Sequence, residues 1–126
     1  MTILVDTSVL IDHLRGDQAA RRVLADAARG GDRLTCSSVT KVEVLAGMRA
    51  GEEAVTRRLL SVLEWIPVDE AVAERAGLLA NHYLRSHPGV DPVDFIIAAT
   101  AELHEAVLWT RNVKHFPMIR DLTPPY

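Results

Sequence analysis

Cysteine is nearly missing from this sequence: of 126 residues only Cys36 is one. No disulfide within the chain is possible, and a cysteine-rich zinc site is excluded. Lysine is scarce too, since 12 of the 14 basic residues are arginine. No strong charge of either sign is present, because 14 basic residues face 17 acidic ones and leave −3. A chain that coats polyanions with its whole surface is therefore not indicated. No basic stretch precedes an apolar run at Met1–Asp6, so a secretory leader is not expected. The longest apolar run, Phe95 to Ala101 with Thr100 included, is too short to cross a membrane. No Gly-rich loop ending in Lys-Ser/Thr offers itself as a phosphate cradle. These absences point to a soluble, cytoplasmic protein in a reducing compartment.

What is present is ordinary globular material. Hydrophobic residues make up 48% and charged residues 25%, enough for one real core in a single domain spanning residues 1–126. Charge differs between the halves. Residues 1–63 carry 9 basic and 8 acidic groups, and residues 64–126 carry 5 and 9. The arginines of the first half read as a solvated helix surface or as a local nucleic-acid track, and the pattern alone does not separate the two.

Short apolar runs alternate with longer amphipathic ones. Strands are expected at 2–5, 34–36, 65–68 and 107–110, with a last one at 121–123. Helices are expected at 9–14, 17–29, 40–48, 52–63, 69–86 and 91–105. Val42, Leu45 and Ala46 are expected to point inward from the third helix, and Val55, Leu59, Leu60 and Leu63 from the fourth. Asp69 and Asp91 are placed as N-caps, with Pro92 at the first helical position after Asp91. Trp65, Trp109 and Cys36 read as core, and His13, His82, His87 and His104 as surface groups. Strands alternating with helices predict an α/β fold with a mainly parallel sheet covered on both faces.

In open parallel sheets, chemistry gathers at the carboxyl ends of the strands. Three acids fall at that edge. Asp6 follows the first strand, Glu43 lies early in the helix after the second, and Asp94 lies in the first turn of the helix before the Val107 strand. Each also has a plain structural explanation. Asp6 would cap a helix, Glu43 would complete a Thr40-x-x-Glu43 capping box, and Asp94 would complement a helix dipole.

The neighbourhoods of these acids form an ordered set: Leu4-Val5-Asp6-Thr7-Ser8, then Ser37 to Gly47 around Glu43, then Asp94-Phe95-Ile96-Ile97-Ala98-Ala99-Thr100-Ala101, then Leu108-Trp109-Thr110-Arg111-Asn112-Val113-Lys114-His115-Phe116. The set spans residues 5–116 and resembles the PIN-domain ribonucleases, and within them the VapC-type toxins. The resemblance implies an α/β/α sandwich and an acidic pocket that binds Mg²⁺ or Mn²⁺ and cleaves RNA. It places the family's acids on Asp6, Glu43 and Asp94 as metal ligands and catalytic residues, and its fourth position on Asn112. Asparagine there orients a water or metal without adding charge. Where many relatives carry Asp before the final Phe, this chain has His115, which receives no catalytic role. The resemblance further implies a VapB-like antitoxin partner and a homodimer, with the helices of residues 40–63 as the receiving surface.

The chemistry agrees with the assignment. Mg²⁺ is a hard ion that prefers oxygen ligands, and it helps phosphodiester hydrolysis by activating water and neutralising charge. Two carboxylates about 5 Å apart repel by roughly 3 kcal/mol at an effective dielectric near 20, so a metal-free pocket should hold at least one raised carboxyl. Thr7, Ser38 and Thr110 are candidate hydroxyls to buttress the acids. A non-catalytic PIN module that binds RNA or protein is the alternative, with Asn112 marking a weakened site. A phosphatase or phospho-receiver fits less well, because Thr7-Ser8 follows Asp6 with no second acid. The RNA target, the number of metal ions and any part played by Asp91 or His115 are not legible.

Overall fold

A computed structural model describes residues Met1–Tyr126. The chain runs β1 (Thr2–Val5), α1 (Thr7–Leu14), α2 (Gln18–Arg29), β2 (Arg33–Ser37), α3 (Ser38–Ala46) and α4 (Glu53–Ser61). It continues through β3 (Glu64–Ile66), α5 (Glu70–Tyr83), α6 (Pro92–Leu103), β4 (Val107–Trp109) and a 3₁₀ turn, Val113–His115. The four strands form one sheet in the order β3-β2-β1-β4, and every pairing is parallel. Leu4 stands level with Thr35 on β2 and with Leu108 on β4.

Alternation along β1 sorts the core into two layers. Ile3 and Val5 face α1, α2, α3 and α4, where they pack with Leu10, Leu24, Val44 and Leu60. Leu4 faces the other way, against Val72 and Leu79 of α5 and Phe95 and Ala98 of α6. Helix α6 is buried almost throughout, from Phe95 to Ala101 apart from half-buried Ile96. Its small residues let it lie close to the sheet.

The strand order sets where a site can form. The chain works outward from β1 through β2 to β3, then returns to add β4 on the far side of β1. The connections diverge at the carboxyl ends of β1 and β4, which opens a crevice there. Asp6 is the first residue after β1, and Thr110 the first after β4.

Several expectations need correction. Residues 121–123 form no strand: Asp121 has φ 57, a left-handed conformation that breaks extended pairing, and two prolines without N–H groups follow. Helix α3 begins two residues earlier than expected because Ser37 caps it, its Oγ accepting from the Val39 amide at 3.2 Å. The shift puts Thr40 and Val44 inward, and Val42 becomes 66% exposed while Ala46 also faces outward. In α4 the inward pair is Thr56 and Leu60, so Val55 faces solvent, and Leu63 is buried beyond the helix end. Trp65 and Trp109 are half-buried rather than core. The Trp65 indole donates to the Leu60 carbonyl at 3.0 Å, and the Lys41 ammonium sits 4.4 Å above its ring. His13 is half-buried as well, and its pKa is lowered by burial and by Arg21.

Candidate active site

The crevice is built from both ends of the chain. Asp6 holds the N-cap position of α1, with extended backbone, yet its side chain makes no cap. Its carboxylate turns instead toward β4. Oδ2 accepts a hydrogen bond from the Thr110 hydroxyl at 2.7 Å and a longer one from the Ser8 hydroxyl at 3.2 Å. Ser8 Oγ in turn accepts from the Arg111 amide at 3.0 Å, and Thr110 Oγ1 accepts from the Asn112 amide at 3.0 Å. The Asp6 amide donates to the Trp109 carbonyl at 2.9 Å. Asp6 is only 6% exposed, so these partners hold it in one orientation.

Asp94 lies across the crevice in the first turn of α6. Burial pushes its pKa up to about 6, with the charges of Asp6 and Asp91 adding to the rise and His115 opposing it. The raised carboxyl expected of a metal-free pocket is thus Asp94, and burial outweighs repulsion among its causes. Asp91 itself caps α6, its Oδ1 accepting from the Val93 amide at 2.8 Å.

Glu43 stands on α3 at the exposed rim. The capping-box explanation does not apply, because Ser37 and not Thr40 is the cap. Instead Glu43 Oε1 accepts from the Thr7 hydroxyl at 2.6 Å, one residue along from Asp6. Asn112 opens the 3₁₀ turn and is exposed, and its side chain caps nothing. Of the candidate buttresses, Thr7 and Thr110 bond acids, whereas Ser38 is simply the first residue of α3.

Two residues here escaped the sequence reading. Ser8 links Asp6 to the β4 loop, and the only hint was a hydroxyl two residues after the acid. His115 Nδ1 lies 3.4 Å from Asp94 Oδ2. Nothing in the one-dimensional pattern announces a contact between α6 and a turn some twenty residues later.

The donor set is rich in oxygen: three carboxylates, an amide and several hydroxyls. No three His, Cys, Asp or Glu side chains crowd closely enough to ligate a single ion together. That spacing fits Mg²⁺, which takes one or two carboxylates directly and keeps several waters, better than an ion needing a complete protein cage. Asp6, Glu43 and Asp94 are the residues able to hold it, directly or through water.

Known proteins place this arrangement. The sequence matches the PIN domain over residues 3–119. It is 45% identical over 123 residues to Ribonuclease VapC19 of Mycobacterium tuberculosis, covering 98% of both chains. Against Ribonuclease VapC10 of the same species it is 44% identical over 124 residues, covering 98% of this chain and 92% of the other. Among solved structures, a toxin–antitoxin complex from Klebsiella pneumoniae superposes with a TM-score of 0.81 at 32% identity, covering 98% of each chain. With its parallel sheet, its acid-lined crevice and these relatives, the chain belongs to the PIN-domain family.

Proposed function

We propose that the chain is a metal-dependent endoribonuclease toxin, a single domain across residues 1–126, that acts in the cytoplasm and is neutralised by a cognate VapB-like antitoxin. The observation that carries the reading is the behaviour of Asp6. A carboxylate at an N-cap that gives up capping and is pinned into a crevice facing a second, partly buried carboxylate serves chemistry rather than helix stability.

In this reading Asp6 and Asp94 hold the ion, and Glu43 ligates it or orients the attacking water. Bound there, Mg²⁺ or Mn²⁺ supplies charge neutralisation at the phosphate and an activated water. Thr110 and Ser8 fix the Asp6 carboxylate, and Thr7 fixes Glu43 at the rim. Asn112 faces the same mouth as a neutral donor and acceptor. The uncharged amide leaves the approach of the RNA backbone free of one more repulsion. Purified protein should cleave single-stranded RNA with Mg²⁺ or Mn²⁺, stop with EDTA and lose at least about a hundredfold in rate in Asp94→Asn. RNA binding without metal-dependent cleavage would favour the non-catalytic module instead.

The antitoxin reading draws on the relatives, one of which is a solved toxin–antitoxin complex. It also draws on apolar side chains left bare on α3 and α4: Val42 is 66% exposed, Val55 49% and Val62, just past α4, 70%. An arginine on the partner would find the acidic crevice a good receptor. A homodimer is expected, and light scattering of the purified chain at high concentration tests it. No helix is long and apolar enough to cross a membrane.

A further inference from the structure

We propose that His115 is a nitrogen donor to the metal site and biases it away from Mg²⁺ toward Mn²⁺ and the later first-row ions. The inference rests on Asp94 being a metal ligand, as proposed above.

Four observations carry it. First, His115 Nδ1 stands 3.4 Å from Asp94 Oδ2. Neighbouring donors around a small octahedral ion are about 3 Å apart, so the pair needs little adjustment to share one. Second, the imidazole is delivered by a fixed turn. The Asn112 amide donates to Thr110 Oγ1 at 3.0 Å and the His115 amide to the Asn112 carbonyl at 2.9 Å. Phe116, next in the chain, is 2% exposed and anchors the turn in the core. The Thr110 hydroxyl that holds Asp6 therefore also holds the base of the turn that carries His115.

Third, the other histidines are engaged away from the acids. His13 is half-buried in α1, His82 and His87 pack around Tyr83, and His104 ends α6. Fourth, the side-chain chemistry separates metals. Mg²⁺ holds to oxygen and water, whereas an imidazole nitrogen adds affinity for transition ions, increasingly so from Mn²⁺ to Co²⁺. A simple ion pair makes the opposite forecast: an arriving cation would release His115 to solvent, where its side chain is already 56% exposed.

The test uses the full metal-free chain, titrated separately with Mg²⁺, Mn²⁺ and Co²⁺ by calorimetry, together with pulsed electron paramagnetic resonance of the Mn²⁺ form. Wild type should show nitrogen modulation from a coordinated imidazole. His115→Ala should lose that signal, bind Mn²⁺ about tenfold more weakly and Co²⁺ more weakly still, and change Mg²⁺ affinity by less than about twofold. His115→Asp should move the preference back toward Mg²⁺. Unchanged or tighter Mn²⁺ binding in His115→Ala, with no nitrogen signal in wild type, would overturn the inference and leave the metal site standing. If wild type binds none of the three ions, the metal reading itself falls and this one with it. Asp94→Asn separates the cases, because it should weaken all three ions together.

Discussion

Single side chains carry most of the chemistry, and two of them yield direct tests. Asp94 binds its proton more tightly in the folded chain, where its pKa rises from 3.8 to about 6. The folded state therefore holds more protons than the unfolded state across that window. Stability of the metal-free protein should fall as pH climbs from about 4 to 6 and stay level above. The loss is about 1–2 kcal/mol, below what the full shift converts to, because the carboxyl retains some contact with water. Urea unfolding from pH 4 to 7 should show this slope in wild type and its absence in Asp94→Asn, which should be the more stable protein at neutral pH. Asp6 behaves differently, since it accepts two hydroxyl hydrogen bonds that asparagine reproduces only in part. Cys36 offers the second test. It is fully buried, and burial with the nearby Asp6 charge pushes its thiol up to about 12. Alkylation of the native protein, followed by mass spectrometry, should be at least about a hundredfold slower than in denaturant. At this scale the sequence exposed the acids well, because each sits in a recognisable block. It hid Ser8 and His115, whose partners lie across loops that no periodicity encodes.

Helices and strands were legible in kind and less so in phase. Asp69 and Asp91 cap α5 and α6 as their sequence contexts suggested, with Asp69 Oδ1 accepting from the Val72 amide at 2.9 Å. Asp91 invites a separation of roles. Asp91→Ala should cost about 1 kcal/mol by removing the cap, while Asp91→Asn keeps the cap and removes only charge. Thermal melts and cleavage assays on both variants should show the first losing stability and neither losing the reaction. The error in α3 came from choosing Thr40 as the start when Ser37 already satisfied the first free amide. Two residues of slip rotate a helix by about half a turn, which carried Val42 from the interior to the surface. Apolar residues on α3 and α4 outnumber the inward positions available, so hydrophobic spacing alone could not say which would stay bare.

For the molecule as a whole, ion binding and folding are linked. An ion that binds only the folded chain raises its stability with concentration, by about 2.7 kcal/mol at a hundredfold excess over Kd. Melting followed by calorimetry should therefore rise on adding Mn²⁺ and return to its starting point with EDTA, and Asp94→Asn should show no rise. The parallel α/β architecture was readable from alternation, but the strand order was not. Nothing local specifies that the 107–109 segment joins β1 on its free side rather than extending the row beyond β3. The C-terminal residues were equally opaque. Tyr126 returns to α1, donating its hydroxyl to Asp12 at 2.6 Å, while Arg111 stacks over its ring at 4.6 Å.

The bond from Thr110 to Asp6 joins residues 104 positions apart. During synthesis the first acid leaves the ribosome early, yet it has no hydroxyl to orient it and no opposing turn until the final fifth of the polypeptide follows. A nascent chain stalled before β4 is therefore harmless to the RNA around it, and the capacity to cut arrives only as translation of the message is nearly done.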